Sequence, residues 1–166
     1  IGEELQAVFN ILTGYSAPSE FEHLLVSPFN MRRRFFERID REIEHARAGR
    51  GGSVRGQLNG LADRRMIAKL YEASQAGVRI QLMAREICAL RPGVPGLSEN
   101  IRVISVLGRL LQHARIFEFG NGGDPEYIIG SADWRPRNLS RRVEVAVPVR
   151  RPECRARLKG ILDALL

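Results

Sequence analysis

Cysteine and long apolar runs are what this sequence most conspicuously lacks. Its only two cysteines, Cys88 and Cys154, form no CxxC spacing, which excludes a disulfide framework and a structural zinc site and indicates a reducing compartment. No apolar run approaches the roughly 18 residues of a membrane span, and residues 1–4 lack the basic and apolar regions of a signal peptide. We therefore expect a cytoplasmic protein, free or associated with a membrane, and, since it begins with Ile, one cut from a longer polypeptide.

Aromatic residues and lysine are also scarce. Aromatics make up 7% of the 166 residues, and no interleaved pattern of Arg and Phe is present, which argues against a specific nucleic-acid surface built from stacking platforms. Of the 26 basic residues only Lys69 and Lys159 are lysine, and against 19 acidic residues they give a net charge of +7. Because the planar fork of arginine suits bidentate binding of phosphate oxygens, an anionic partner is predicted.

The spacing of apolar residues predicts one α/β domain. Residues 1–22 read as a lead-in helix and connector, and residues 23–166 as the domain itself. Two successive units of a strand and a helix, the second formed by a strand over 54–58 and a helix that Asp63 can cap, lead to a strand over 78–84 and predict a parallel sheet in this half. Later short strands joined across residues 121–124 predict a hairpin. Further elements are expected as helices over 30–48, with Asn30 as N-cap, and 152–166, and as strands over 23–26, 101–106, 114–119, 126–130 and 143–149.

Two positions in this pattern suggest phosphate chemistry. Arg85 follows the alternating run 78–84 and is therefore expected at the carboxyl end of a strand, where ligands of open α/β sheets bind. The alternative is a surface arginine paired with Glu86. If the strand reaches back to residue 113, His113 and Arg115 point to the same face. That pairing suits phosphoryl chemistry, in which the imidazole moves a proton and the guanidinium holds charge, although a lone histidine is more often structural.

A basic stretch follows the next small-residue turn. Gly130 and Ser131 end a strand, and eight arginines lie between residues 135 and 157 against two glutamates. Arg142, near the middle of this stretch, precedes an apolar strand, so a groove for a polyanion fits better than a merely solvated charge run.

Taken together, these pieces resemble the C-terminal part of bacterial polyphosphate kinases of the phospholipase D-like type. The matching stretches run nearly end to end and in the right order. They are Val8-Phe9-Asn10, Leu12-Thr13-Gly14, Leu25-Val26-Ser27-Pro28, Leu70 to Val78, Arg91-Pro92-Gly93, Ser98 to Val103, Gly130-Ser131-Ala132-Asp133-Trp134 and Arg137-Asn138-Leu139.

The resemblance implies a phospholipase D-like mixed sheet flanked by helices, one half of a bilobal catalytic unit whose other half, phosphorylated on histidine, lies before residue 1. It implies that His113 contacts the nucleotide phosphates and assists proton transfer, and that Arg85 contacts the phosphates of ATP. Arg115 takes the lysine place of the His-x-Lys pattern, and Ser131 belongs to its small-residue turn. With Arg142, these residues form the predicted phosphate-binding set.

The implied substrates are ATP or ADP and inorganic polyphosphate. Mg²⁺ is expected with its ligands outside this chain, so no metal site is predicted here. The missing N-terminal part of the same enzyme and further copies in a homo-oligomer are the expected partners.

Several residues depart from the family pattern. Gln57 stands in place of a lysine, Glu86 of a glycine, Gln112 of a glutamate, Arg135 of a methionine and Ser140 of an aspartate. The lost lysine and the new acid beside Arg85 both weaken a phosphate site. Two alternatives therefore stay open: a non-catalytic basic module that binds polyphosphate or nucleic acid, and a diverged phospholipase D-like phosphodiesterase.

Overall fold

The computed structural model describes residues 1–15, 20–109 and 111–166. Part of the predicted connector, residues 16–19, lies outside these ranges. In chain order the elements are α1 (Gly2–Leu12), β1 (Leu25–Ser27), α2 (Met31–Arg47), β2 (Ser53–Leu58), α3 (Arg64–Gln75), β3 (Arg79–Ala84), β4 (Ile101–Ile104), β5 (Ile116–Phe119), a 3₁₀ turn (Asn121–Gly123), β6 (Glu126–Gly130), α4 (Pro136–Ser140), β7 (Glu144–Val149) and α5 (Pro152–Leu165).

The seven strands form one mixed sheet in the order β1-β7-β6-β5-β2-β3-β4. β2, β3 and β4 are parallel to one another. β5, β6, β7 and β1 pair antiparallel, and β5 joins the two halves by pairing antiparallel with β2. The predicted parallel half, the hairpin and the mixed sheet flanked by helices are all confirmed.

One face of the sheet carries the main core, because α2 and α3 lie across it. Phe35 of α2 is fully buried, and its ring packs edge-on against Phe117 at 5.0 Å and Trp134 at 5.6 Å, while Phe117 and Trp134 stack at 4.8 Å. α3 begins where the sequence predicts, since the Asp63 carboxylate accepts a hydrogen bond from the backbone N–H of Met66 at 3.0 Å. Other core residues on this face are Ile39, Val54, Leu58, Leu70, Ile80, Leu82 and Phe119.

The second face is covered more thinly, by α1 and α5. Successive residues of a strand point to opposite faces of the sheet. The strand residues that point away from the main core join two small apolar clusters on this second face. Val8 of α1 belongs to one of them, and Leu162, the one buried residue of α5, belongs to the other. The full clusters are Val8, Phe21, Leu24 and Val26, and Ile116, Tyr127 and Leu162.

The local structure differs from expectation at two places, and the basic stretch contains a helix that was not predicted. Asn30 occupies the N-cap position of α2, but its side chain caps nothing; its Oδ1 accepts from the N–H of Val26 at 2.6 Å and thereby ties the loop before the helix to β1. β5 begins at Ile116 instead of residue 114. The basic stretch contains the short helix α4, which Pro136 opens from its first turn. No helix within the described ranges is both long and apolar enough to cross a membrane.

Candidate functional site

One edge of the sheet collects every predicted site residue. β2 and β3 end there, at Leu58 and Ala84, and because β5 is antiparallel to β2, β5 starts there. β6 ends and β7 starts at the same edge, since Gly130 pairs with Ala146. The sequence segments carrying Arg85, residues 113–115, Ser131 and Arg142 therefore converge, although they are far apart in the chain.

Backbone hydrogen bonds join the loops at this edge. The N–H of Glu86, after β3, donates to the carbonyl of Asn59, after β2, at 2.8 Å. The N–H of Asp63 donates to the carbonyl of Trp134, after β6, at 2.9 Å. Such cross-links fix the side chains that the loops carry, which is what a binding site on loops requires.

Arg115 is held by a buried polar cluster. Its Nε and Nη2 donate to the two carboxylate oxygens of Asp133 at 3.1 and 3.2 Å, and both side chains are about nine-tenths buried. The side-chain amide oxygen of Asn59 also accepts a hydrogen bond from Arg115 Nη2, at 2.8 Å. Burial raises the pKa of Asp133, but the Arg115 guanidinium and the N–H of Asn59 outweigh it, so the pKa lies below its usual range. Arg115 is thus a fixed cation.

Arg85 lies at the carboxyl end of β3, as predicted, but it is not free. Its Nη1 donates to the backbone carbonyl of Gln112 at 2.6 Å. Its Nη2 donates to the carboxylate of Glu86, the pairing considered as the alternative for this residue. The second oxygen of Glu86 accepts from Arg135 Nη2 at 2.8 Å. The hydrogen bond from Arg85 is the main cause of a lowered pKa for Glu86.

His113 lies in the loop before β5 and not on the strand, so the shared strand face predicted for His113 and Arg115 does not exist. Its side chain is exposed and, among the residues that the structure describes, makes no hydrogen bond. The loop is nevertheless anchored on both sides of the imidazole: Arg115 Nη1 donates to the His113 carbonyl at 2.9 Å, and Arg85 holds the Gln112 carbonyl. Packing inside the sheet is therefore not the role of His113.

Ser131 belongs to a second polar network at the same edge. Its hydroxyl donates to the buried carboxylate of Glu144 and accepts from the N–H of Val145 at 3.2 Å. The other Glu144 oxygen accepts from the Asn138 amide at 2.6 Å. The only hydrogen of the Ser131 hydroxyl is therefore donated to Glu144, and Ser131 can donate to a phosphate only by releasing that carboxylate.

The arginines of the basic stretch do not form one row. Arg141 and Arg142 are exposed just before β7, at the site edge, while Arg150 and Arg151 are exposed just after it. A six-residue strand is about 20 Å long, so the two pairs lie at opposite ends of the sheet. A single groove lined by all eight arginines is thus not what the fold provides; the site edge receives the first half of the stretch.

An apolar cleft of about 530 Å³ opens beside Arg115 and Ser131 on the second face of the sheet. Ile129, at its floor, is 37% exposed even though it lies in a central strand. The rest of the lining is Ala114, Ile116, Gly130, Val145, Val147 and Leu158. An uncovered apolar surface thus adjoins the cationic edge.

The carboxylates at this edge do not suit a magnesium ion. Glu86 and Asp133 are each bonded to arginine, and Glu144 is bonded to Ser131 and Asn138. Within residues 1–15, 20–109 and 111–166, no three His, Cys, Asp or Glu side chains are grouped to hold a metal ion.

The sheet and its flanking helices have a phospholipase D-like fold. This fold is similar to that of Nuc from Salmonella typhimurium, a phospholipase D family member, with a TM-score of 0.55 over 85% of this chain and 88% of that chain. The two sequences are 14% identical, so the likeness concerns the fold alone.

Closer similarity is found to one family with this fold. The family described as polyphosphate kinase C-terminal domain 2 matches residues 24–166. Polyphosphate kinase from Synechocystis sp. is 54% identical over all of this chain, which covers 23% of that protein. The crystal structure of polyphosphate kinase from Porphyromonas gingivalis matches with a TM-score of 0.92 and 43% identity, over 96% of this chain and 24% of that chain. The chain belongs to the polyphosphate kinase family and spans about a quarter of the length of these relatives.

Sequence reasoning missed the residues that orient the site. Asn59 and Asp133, which hold Arg115, and Glu144, which engages Ser131, were not singled out. Asn59 directly follows the last residue of β2, and Asp133 lies three positions after the last residue of β6. A polar residue just past a strand that ends at the site edge is the signal that would have pointed to them.

Proposed function

We propose that this chain is the nucleotide- and polyphosphate-binding half of an ATP:polyphosphate phosphotransferase, which transfers the terminal phosphate of ATP reversibly to polyphosphate. The observation that carries this proposal is the exposed imidazole of His113 on a loop anchored by Arg85 and Arg115. Fixed cations beside a titratable imidazole suit a reaction in which charge develops on phosphoryl oxygens. Membership of the polyphosphate kinase family supports the choice of substrates.

In this proposal the nucleophile lies outside the chain, on a histidine of the preceding half of a bilobal enzyme. The bond between the terminal phosphorus of ATP and its bridging oxygen breaks, ADP leaves, and a phosphorus–nitrogen bond forms. A terminal oxygen of polyphosphate then takes the phosphoryl group and frees the histidine. His113 contacts the transferring phosphate and supplies or accepts the proton, while Arg85 and Arg115 hold negative charge.

The remaining predicted residues act at the rim. Arg142 is exposed at the site edge and is suited to hold the polyphosphate chain, whereas Ser131 binds a phosphate only if its hydroxyl releases Glu144. Since the local carboxylates are occupied by arginine or amide groups, any Mg²⁺ that accompanies ATP takes its protein ligands from outside this chain. The apolar cleft beside Arg115 supports docking of the other half of the enzyme here.

A chimera tests the proposal directly. In it, this chain replaces the matching segment of the Synechocystis polyphosphate kinase, which is 54% identical over the whole chain. We expect the chimera to make polyphosphate from ATP. The isolated chain should bind tripolyphosphate and retain no acid-labile phosphate from radiolabelled ATP, because no residue in it is placed as the nucleophile. A folded but inactive chimera, or phosphohistidine on the isolated chain, would overturn the proposal.

His113 variants of the chimera separate chemistry from structure. His113→Ala should lower turnover by about 10² to 10⁴, the range for loss of a general acid or base. His113→Gln keeps a hydrogen-bond donor but cannot supply a proton at neutral pH, so it should be nearly as slow. Because the side chain is exposed, the melting temperature should move by less than about 2 °C. A large loss of stability with full turnover per folded molecule would contradict the catalytic assignment.

A further inference from the structure

Glu86 lies between two arginines at the site edge. One of its carboxylate oxygens accepts from Arg85 Nη2 and the other from Arg135 Nη2, the latter at 2.8 Å. The Glu86 side chain is 46% exposed, whereas the side chains of Arg85 and Arg135 are 11% and 15% exposed. The carboxylate is thus the solvent-facing member of the group, and the two cations lie deeper.

The position of this carboxylate matters because both terminal nitrogens of Arg85 already donate a hydrogen bond and only 11% of the Arg85 side chain is exposed. Its Nη1 is bonded to the Gln112 carbonyl and its Nη2 to Glu86. A phosphate that approaches Arg85 needs the same donor positions that a carboxylate uses. Because Glu86 is the exposed partner of a largely buried Arg85, a phosphate that approaches from solvent competes with the Glu86 carboxylate for this guanidinium.

Arg135 gives the displaced carboxylate a second partner. Its side chain passes over Gly60 so closely that a Cβ at that position would lie 2.0 Å from Arg135 Nε; glycine leaves the space that this arginine occupies. Glu86 can therefore leave Arg85 without losing all of its charge pairing. Two guanidiniums and one carboxylate also keep the local charge at +1, so the group still attracts an anion.

We propose that Glu86 is a built-in competing anion that sets the affinity of Arg85 for phosphate, with Arg135 as the partner that receives Glu86 when a phosphate binds. The inference rests on the proposed function, in which Arg85 binds the phosphates of the substrate. Its consequence is selectivity by charge: a chain of several phosphates outcompetes a single tethered carboxylate more readily than inorganic phosphate does.

Calorimetric titration of the chain with tripolyphosphate at fixed salt tests this inference. Glu86→Gln keeps the size of the side chain and removes its charge, so tripolyphosphate should bind about 10-fold more tightly, the effect of removing one competing charge-assisted hydrogen bond. Arg135→Met leaves Glu86 to Arg85 alone and should weaken binding several-fold. Glu86→Gln should raise the affinity for inorganic phosphate by a larger factor than the affinity for tripolyphosphate. The preference of the chain for tripolyphosphate over inorganic phosphate should therefore become smaller.

Glu37→Gln is the matched control. Glu37 in α2 is 45% exposed and also pairs with two arginines, Arg33 at 2.5 Å and Arg34 at 3.7 Å, but both of these partners belong to α2 and not to the loops that carry Arg85 and Arg135. Its loss should change the affinity by less than about 2-fold, since Glu37 does not bond Arg85 and the field of an exposed charge is screened by solvent and salt. An equal gain for Glu37→Gln and Glu86→Gln would show a general charge effect and overturn the inference.

Arg85→Ala separates this inference from the proposed function. If Arg85→Ala weakens tripolyphosphate binding but Glu86→Gln does not strengthen it, the competing-anion role is wrong and the phosphate site stands. If Arg85→Ala leaves binding unchanged, the proposed phosphate site itself is wrong, and the inference falls with it. In the Arg85→Ala background, Glu86→Gln should have almost no further effect, because the competition is for Arg85.

Discussion

The two faces of the sheet are stabilised in different ways. On the first face α2 and α3 cover a continuous core in which Phe35, Phe117 and Trp134 pack ring against ring. On the second face α1 and α5 each bury a single residue, Val8 and Leu162. Polar contacts hold that face instead. The apolar cleft beside the site opens on this thinner side.

The polar contacts of the second face join each helix to the sheet or to its approach. Arg55 of β2 donates to Glu118 of β5 and, at 2.5 Å, to Asp163 of α5, and these contacts raise its pKa although burial lowers it. The carboxylate of Glu4 in α1 accepts hydrogen bonds from the segment just before β1. The comparison indicates that the first face supplies most of the stability, while the second leaves apolar surface free at the site.

Truncation of one core residue on each face is the strongest test of whether the two faces contribute unequally to the free energy of unfolding. Phe35→Ala should lower the free energy of unfolding by about 4 kcal/mol, since it opens a cavity beside the stacked rings of Phe117 and Trp134, and Leu162→Ala by about 2 kcal/mol, since its small cluster can close up. Urea denaturation measures both values. Equal losses, or a larger loss for Leu162→Ala, would contradict the unequal faces. If Phe35→Ala fails to fold, Phe35→Leu should still cost about 1 kcal/mol.

Much of the fold follows from local patterns that this core reinforces. The four-residue spacing of Met31, Phe35, Ile39 and Ile43 predicts α2, and all four side chains are buried. Patterns of this kind predict that a helix or strand forms and which of its faces is buried. They do not give the order of the strands, which depends on pairings such as β1 with β7 between residues more than a hundred positions apart.

The sequence predicts where the site lies on the sheet better than it predicts the hydrogen bonds between the site residues. Arg85 lies at the edge of the sheet because the end of β3 places it there, which a strand pattern can reveal. The loop around His113 could not be foreseen, because its conformation depends on guanidinium bonds from Arg85 and Arg115 to carbonyls of the loop. The pairing of Glu86 with Arg135 was likewise hidden, since the two departures from the family pattern lie 49 positions apart and meet only in the fold.

Glu4→Gln tests how much a polar contact contributes to the stability of the second face. Partial burial raises the pKa of this carboxyl, but the N–H groups of His23 and Leu24, at 3.0 and 2.8 Å, outweigh burial and hold the pKa at about 2. A lowered pKa in the folded state adds stability above the usual glutamate pKa of about 4.3, and that stability is lost as the pH falls towards 2. Glu4→Gln should therefore cost roughly 1 to 2 kcal/mol at pH 7.

The pH dependence distinguishes this contact from a change in helix propensity. The difference in the free energy of unfolding between the native chain and Glu4→Gln should shrink between pH 5 and pH 3, measured by urea denaturation at each pH. Glu3→Gln is the control, because Glu3 is exposed in the same first turn of α1 and should cost less than about 0.5 kcal/mol. A constant difference at all pH values would show that the Glu4 carboxylate is not the anchor of α1.

The smallest expected effect concerns the two exposed arginine pairs that flank β7. Arg141 and Arg142 lie at the site edge and Arg150 and Arg151 at the opposite end of the strand. Each exposed contact to a phosphate contributes roughly 0.5 kcal/mol, so Arg141→Gln with Arg142→Gln should weaken binding of a long polyphosphate chain by about 5-fold. It should also reduce the salt dependence, with a log–log slope smaller by up to about 1.4. Arg150→Gln with Arg151→Gln removes the same charge about 20 Å away and should change the affinity by less than about 2-fold. Equal effects of the two double variants would mean that polyphosphate follows the whole basic stretch, and that the end of the sheet carrying His113 has no special part in holding it.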